Sequence, residues 1–240
     1  KQVLVSIYNP DTKKRWEEIV KPISKGTQNE LLYQRWIKHN EEVVDSLSNG
    51  TLGYVHIRSM GDASYRDVYA DILGKYNRRK GIVIDTRFNG GGRLHEDIEI
   101  LFSGEKYLEQ VIRDSVACVM PSRRYVKPSI MIMCEANYSN AHGTPWVYKH
   151  KKIGKLVGMP VPGTMSSVTW ETLQDTDLYF GLPVVGYRTQ EGYYLENYQL
   201  EPDVKVRNTP EKLAVGVDEQ LEAAVKELLK DVENYNYWGK

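Results

Sequence analysis

The sequence lacks several features that mark specialised classes of protein. Its 240 residues contain only two cysteines, and 32 Lys and Arg residues are balanced by 32 Asp and Glu residues. No apolar run approaches the roughly eighteen residues of a membrane-spanning helix. The charge balance argues against a protein built to bind phosphate backbones or anionic lipid. We therefore expect neither nucleic acid nor membrane among its partners.

The two cysteines, Cys118 and Cys134, lie in apolar stretches without a Cys-x-x-Cys partner. This placement does not fit a disulfide framework or a zinc motif, and we interpret both as buried free thiols. The residue types also form no cluster with the spacing of metal ligands. We accordingly expect no metal or organic cofactor.

The chain begins with Lys1-Gln2-Val3 and has no initiator Met, so we expect it to be an excerpt of a longer polypeptide. Its length fits one core domain of about 200 residues. We predict a lead-in strand and turn over 1–20, the core over 21–232 and a tail over 233–240. The cellular location, cytoplasm or cell envelope, is left open by the sequence.

Apolar periodicity predicts alternating strands and helices. Strands are predicted over 1–8, 53–57, 81–85, 130–134 and 155–158, with a hairpin that pairs 177–187 with 193–195. Helices are predicted over 29–47, 64–76 and 221–229, the last capped by Asp218, with a further helix including 98–102. Two of the strands, 81–85 and 130–134, are wholly apolar until their last residue, as in strands buried on both faces. The fold class is therefore α/β, with a mixed inner sheet wrapped by helices.

A glycine turn, residues 89–92, follows the first of these buried strands. Its sequence, Asn89-Gly90-Gly91-Gly92, allows positive φ angles and leaves backbone N–H groups uncovered by side chains. Such a turn can hold an anion or an oxyanion, and it can also be no more than a tight turn. It matches neither the dinucleotide fingerprint nor a phosphate-binding loop.

The second buried strand leads to Ser139 at the point where the chain should enter a helix. A serine there can present its hydroxyl with the following N–H groups directed at developing negative charge. The Gly-x-Ser-x-Gly motif of hydrolases is absent. Ser139 is therefore a candidate nucleophile or, on spacing alone, simply a helix N-cap.

Four segments taken in order carry a resemblance to a known family. They are Gly53-Tyr54-Val55-His56-Ile57, Val83-Ile84-Asp85-Thr86-Arg87 with the glycine turn, Gly154-Lys155-Leu156-Val157-Gly158 and the stretch from Leu195 to Asp203. Together they resemble the C-terminal catalytic core of the tricorn protease family, relatives of the carboxyl-terminal processing peptidases. The resemblance extends from about Val20 to Leu229 and implies a core of the crotonase and Clp protease type.

The resemblance implies roles for five residues. Ser139 stands at the nucleophile position, in Ser139-Asn140-Ala141 where the family usually has Ser-Asp-Gly. The N–H of Asn140, with an N–H from Gly91 or Gly92, would form the oxyanion hole. Glu196 corresponds to the acid that orients the catalytic histidine.

The general base is where the chain departs from the processing peptidases. They use a lysine in Val-Gly-x-x-Thr-x-Gly-Lys, whereas this chain places Thr164 at that position. Tricorn-type members take a histidine from a subdomain upstream of a PDZ domain, and this chain begins after both. The implied partners are a peptide or unfolded polypeptide substrate, those upstream domains and further copies of the protein in a homo-oligomer.

The five histidines of the chain are the alternatives for the base. His142 lies three residues after Ser139 and is expected to point along the solvent side of its helix. His95 follows the glycine turn and is hard to dismiss by location. His56 is expected in the core or on a sheet face, and His39 and His150 on the surface.

Three functions follow from these observations. The leading one is a serine endopeptidase core that hydrolyses peptide bonds through an acyl-enzyme and is inactive as this fragment alone. The alternative is a peptide-binding module that has lost turnover, favoured by Asn140-Ala141 and by the missing base. A weaker third is a crotonase-like enzyme acting on acyl thioesters.

Overall fold

A computed structural model describes residues 1–104 and 106–235, so the end of the predicted tail 233–240 lies outside the described residues. The chain divides into two units, Lys1–Asn40 and Glu41–Lys240. In the first, β1 (Val3–Tyr8) pairs antiparallel with β2 (Arg15–Val20), and α1 (Lys25–Leu47) begins. The strand over 1–8 was predicted, whereas β2 was not, and α1 starts four residues before the predicted helix.

A five-stranded sheet forms the centre of the second unit. Its strands are β3 (Leu52–His56), β4 (Gly81–Asp85), β7 (Ser129–Met133), β8 (Lys155–Gly158) and β11 (Val204–Lys205), in the order β11-β8-β7-β4-β3. Every pair is parallel, where a mixed sheet was expected. All residues of β4 and β7 are buried, which confirms the prediction from their apolar runs.

Helices cover the sheet and position its loops. They are α2 (Asp62–Ala70), continued by a π-helical turn over Asp71–Lys75, α3 (His95–Ser103), α4 (Asn140–His150), α5 (Pro210–Ala214) and α6 (Glu219–Glu233). Asp218 caps α6 by accepting the N–H of Leu221, as predicted. The α/β prediction is confirmed. In the described part of the chain, no helix combines the length and apolar character needed to cross a bilayer.

Two antiparallel hairpins stand apart from the central sheet. The first consists of β5 (Leu108–Ile112) and β6 (Ser115–Met120), neither of which was predicted. In the second, β10 (Tyr179–Val185) pairs with β9 (Ser167–Thr172), so the predicted partner 193–195 is wrong for most of 177–187. Residues 193–195 instead form a short antiparallel contact with 187–189: a bridge joins Tyr194 to Arg188, and the Leu195 N–H donates to the Tyr187 carbonyl oxygen at 3.0 Å. The prediction is confirmed only at that end. Cys134 is buried as expected, whereas Cys118, on β6, is only half-buried.

A buried ion pair anchors the end of β4. The Asp85 carboxylate accepts hydrogen bonds from the Tyr54 hydroxyl and from the Arg87 guanidinium, whose Nη2 lies 2.6 Å from Oδ2. Arg87 also donates from Nη1 to Asp218 and Gln220, so it joins the sheet to the start of α6. Burial alone raises the pKa of Asp85, but the adjacent Arg87 charge brings it below its usual value. The carboxylate therefore remains ionised inside the fold.

Candidate active site

The candidate site lies at the carboxyl edge of the parallel sheet. The glycine turn follows β4, and the loop that ends at Ser139 follows the neighbouring strand β7. Since adjacent parallel strands end at the same edge, the two loops meet there. The Tyr138 N–H donates to the Asn89 carbonyl oxygen at 3.0 Å, and the Asn137 amide donates to the Thr86 hydroxyl at 2.9 Å. The structure thus brings together the two loops that the sequence singled out.

Ser139 adopts a backbone conformation that few non-glycine residues show, with φ 56° and ψ −123°. It occupies the N-cap position of α4, but its side chain makes no capping hydrogen bond. The hydroxyl is therefore not used as the helix cap that spacing alone allowed. A Cβ on Gly91 would lie 2.7 Å from the Ser139 Cβ, so only glycine permits this close approach.

The N–H groups around Ser139 differ in availability. Gly91 donates its N–H to Asn89 Oδ1 at 2.8 Å, so that N–H is already engaged. Across residues 1–104 and 106–235, the N–H groups of Gly92 and Asn140 have no hydrogen-bond acceptor. Of the candidate donors, Gly92 and Asn140 are therefore the pair available to an incoming oxyanion.

The Asn140 side chain ties α4 to α3. Its Oδ1 accepts the N–H groups of Leu94 at 2.8 Å and His95 at 3.1 Å, and its Nδ2 donates to His95 Nδ1 at 2.7 Å. The side chain is buried, so these bonds replace the water it has lost. The two bonds from the main chain of Leu94 and His95 fix the start of α4, and with it the main-chain N–H of Asn140.

Thr164 lies beside Ser139, as its place in the resemblance implies. The Ser139 N–H donates to Thr164 Oγ1 at 3.3 Å. Thr164 has a hydroxyl where a lysine would have a basic amine, so it cannot take a proton from Ser139. Its role here is to accept a hydrogen bond from the Ser139 backbone.

Glu196 holds the segment that carries Thr164. Its Oε2 accepts the N–H groups of Met165 at 2.8 Å and Ser166 at 2.7 Å. Burial alone raises the pKa of Glu196, but these two hydrogen bonds bring it below its usual value. The Met165 side chain packs against Gly143 in α4, where a Cβ would lie 2.4 Å from its Cε. Glu196 is thus an ionised carboxylate that braces the surroundings of Ser139.

His142 is not on the solvent side of α4, contrary to expectation. Its side chain is fully buried, and neither ring nitrogen has a hydrogen-bond partner in the described part of the molecule. Burial lowers the pKa of His142, although the charge of Glu196 acts in the opposite direction. The reason for the error is tertiary packing: residues 140–145 are all buried, so the first turns of α4 have no solvent side.

The other histidines lie largely where expected. His56 Nε2 is 3.1 Å from the Arg87 carbonyl oxygen, and burial lowers its pKa. His39 and His150 are exposed, the latter stacked on Trp146. His95 is half-buried beside Asn140. Within the described residues, no group of three His, Cys, Asp or Glu side chains is arranged to hold a metal ion.

Sequence reasoning missed the supporting residues of the site. Asn89 donates from Nδ2 to the Ile57 carbonyl oxygen at 2.7 Å while accepting from Gly91, so it shapes the glycine turn. Asn137 similarly bridges Thr86 and the Ala141 carbonyl oxygen. The only signal in the sequence is that one asparagine lies two residues before Gly91 and another lies two residues before Ser139. Asparagine favours turns with hydrogen bonds from the side chain to the backbone.

A family model matches most of the residues that build this site. The model of Peptidase family S41 covers residues 51–206. The chain belongs to this peptidase family. Family membership and its relatives support a serine protease-type function, and the resemblance noted in the sequence is confirmed.

Tricorn proteases are among the similar proteins. That of Thermoplasma volcanium is 29% identical over 215 residues, which are 85% of this chain and 20% of that protein. That of Thermoplasma acidophilum is 25% identical over 216 residues, 86% of this chain and 19% of that protein. This chain thus spans about a fifth of the length of these relatives.

The fold also resembles that of a solved tricorn protease. The crystal structure of the tricorn protease superimposes with a TM-score of 0.74 at 23% identity, over 92% of this chain and 22% of that one. A photosystem II D1 C-terminal processing protease gives a TM-score of 0.51 at 20% identity, over 75% of this chain and 47% of that one. This chain therefore has the same fold as these two proteases.

Replacing Gly92 by alanine tests the geometry of the glycine turn. A Cβ there would lie 2.1 Å from the Met60 carbonyl oxygen, and the φ of 136° is one that alanine rarely adopts. We expect Gly92→Ala to lower the free energy of unfolding by about 2 kcal/mol or more in urea denaturation. Gly90→Ala is the matched control, because a Cβ at Gly90 meets nothing within 4 Å. Equal losses in the two variants would contradict the described constraint.

Replacing His142 tests its burial through the pH dependence of stability. Because the pKa of His142 is lowered in the fold, its contribution to stability is complete above the ordinary value of 6.5 and is lost as pH falls below it. Each unit of lowering corresponds to about 1.4 kcal/mol. We expect His142→Leu to lose less unfolding free energy than the wild type between pH 7.5 and 5.

The exposed His39 provides the control for that comparison. His39→Leu should retain the pH dependence of the wild type, since the imidazole of His39 is solvated in the fold. Urea titrations in which both variants and the wild type lose the same unfolding free energy over this pH range would contradict the lowered pKa of His142.

Proposed function

We propose that the chain is the catalytic core of a serine endopeptidase, with Ser139 as the nucleophile. The observation that carries this proposal is the position of Ser139, uncapped and at positive φ, next to the available N–H groups of Gly92 and Asn140. A nucleophile needs its hydroxyl exposed to the substrate and donors directed at the developing oxyanion. The partly exposed Ser139 and the two N–H groups without acceptors support the proposal on both points.

In the proposed reaction, Ser139 Oγ bonds to the carbonyl carbon of a peptide while its proton passes to a histidine base. The oxyanion accepts hydrogen bonds from Gly92 and Asn140. Collapse of this intermediate breaks the C–N bond, and the histidine returns the proton to the leaving amine. Water then attacks the acyl ester by the same sequence, and Ser139 is regenerated.

The base in this proposal is a histidine supplied from upstream of this chain, as the resemblance to tricorn-type members implies. The local histidines are poor alternatives: His56 lies against the Arg87 carbonyl oxygen, and His95 Nδ1 already accepts from Asn140. Glu196 would orient the incoming imidazole and balance its charge. Its ionised state suits that role, because an imidazolium requires an anionic partner.

The proposed partners follow from the same comparison. The relatives named as tricorn proteases are about five times longer, which leaves room for histidine-bearing and PDZ domains upstream. The substrate would be a peptide or unfolded polypeptide, and the whole protein would act as a homo-oligomer. The crotonase and Clp protease type of core is proposed on the same grounds.

A peptide-binding module without turnover is the second candidate function. The observation that favours it is Thr164, whose hydroxyl occupies the position of a lysine base and accepts the Ser139 N–H. A serine hydroxyl without a positioned base has almost no alkoxide at neutral pH. Such a chain would retain the peptide site and lose hydrolysis.

Labelling by an alkyl fluorophosphonate distinguishes the two candidates. We expect intact-mass analysis to find one phosphonyl adduct on a protein extended upstream, no adduct on its Ser139→Ala variant and none on this chain alone. Ser122→Ala of the extended protein is the control, because Ser122 is exposed and outside the site. Labelling of this chain alone would contradict the upstream base, and no labelling of either chain would favour the binding module.

A further inference from the structure

The orientation of the Asn140 side-chain amide is fixed by its neighbours. Two backbone donors, the N–H groups of Leu94 and His95, point at one of its terminal atoms, at 2.8 and 3.1 Å. That atom must be the oxygen, since a second donor there would leave two buried N–H groups unsatisfied. The other terminal atom is therefore the amide nitrogen, and it faces His95 Nδ1 at 2.7 Å.

This amide selects the tautomer of His95. Because Asn140 Nδ2 can only donate, His95 Nδ1 must accept, and the proton of the neutral ring lies on Nε2. A proton on Nδ1 would oppose the amide hydrogens, so the imidazolium is disfavoured. Burial lowers the pKa of His95 in the same direction and outweighs the nearby carboxylates of Glu96 and Asp97, which raise it. His95 is thus a neutral ring whose outer nitrogen is a donor.

The position of this donor connects it to the oxyanion site. Asn140 offers its main-chain N–H to the oxyanion site while its side chain holds the His95 ring, and His95 follows Gly92 by three residues. The ring is half-buried and perpendicular to the ring of Tyr187, with centroids 6.2 Å apart. Among residues 1–104 and 106–235, His95 Nε2 has no acceptor. A partly exposed N–H donor is therefore available next to the proposed oxyanion hole.

We propose that His95 is a substrate-positioning residue whose Nε2–H donates a hydrogen bond to a main-chain carbonyl oxygen of the bound peptide. The inference rests on the proposed function, because it requires a peptide at Ser139. It assigns His95 a role as donor rather than as the general base, since a ring held with its proton on Nε2 and its Nδ1 engaged has no lone pair to offer Ser139. This role depends on the Asn140 amide, which stands where the family usually has a carboxylate and which leaves the ring proton of His95 on Nε2.

Nitrogen NMR of this chain labelled with ¹⁵N-histidine tests the tautomer directly. At pH 7.5 we expect the His95 signals of an Nε2–H tautomer. In Asn140→Asp a carboxylate accepts from Nδ1–H, so the tautomer should reverse and the pKa of His95 should rise. An Nδ1–H tautomer in the wild type, or no change in Asn140→Asp, would overturn the inference.

Two probes of Ser139 test the contact with substrate on the upstream-extended protein. An alkyl fluorophosphonate has no peptide carbonyl, whereas acetyl-Ala-Ala-Ala diphenyl phosphonate has several. We expect His95→Ala to lower the labelling rate of the peptidyl probe about tenfold and leave that of the alkyl probe within about twofold, as for the loss of one hydrogen bond. His95→Gln, which keeps an N–H donor near the position of Nε2, should recover part of the loss. Thermal unfolding of each variant checks that the fold is retained.

The outcomes separate this inference from the proposed function. An unchanged ratio of the two rates in His95→Ala would overturn the positioning role. An equal loss with both probes would also overturn it, because His95 would then act on Ser139 itself. If the alkyl probe does not label the wild-type extended protein, the proposed function fails, and the inference that rests on it fails with it.

Discussion

The buried ion pair between Asp85 and Arg87 is the interaction on which the candidate site depends. It joins the last residue of β4 to the start of the loop that becomes the glycine turn, and through Asp218 it reaches the start of α6. Loss of one partner of such a pair leaves an uncompensated buried charge, at a cost of about 3–5 kcal/mol. The pair therefore fixes where the glycine turn begins, and the close approach of Gly91 to Ser139 requires that the turn start in one place.

Much of this arrangement could be predicted from the sequence, because its strongest determinants are local. The apolar runs of β4 and β7 identify strands buried on both faces, and loops after neighbouring parallel strands share one edge of the sheet. The glycine turn and Ser139 follow from those two strands. The motifs of the tricorn-type resemblance, now supported by the family match over 51–206, depend on the same local runs.

What the sequence could not predict depends on contacts between distant segments. The burial of His142 comes from packing on all sides of the first turns of α4, and periodicity along one helix does not reveal which neighbour covers each face. The partner of β10 is β9 rather than 193–195, since an exposed strand carries little information about its partner. Gly91 and Gly92 look alike in the sequence. Only the Asn89 side chain, which accepts the N–H of Gly91, distinguishes Gly91 from Gly92, the glycine proposed as the oxyanion donor.

A crystal structure of the upstream-extended protein with a peptide boronate would show directly whether Ser139 is the nucleophile and where the oxyanion binds. A boronate forms a tetrahedral adduct with a nucleophilic serine and carries an oxygen where the oxyanion would be. We expect a bond from boron to Ser139 Oγ, with that oxygen within hydrogen-bond distance of the N–H groups of Gly92 and Asn140. Boron on another residue, or an oxygen directed away from both N–H groups, would contradict the assignment of Ser139 and its oxyanion hole.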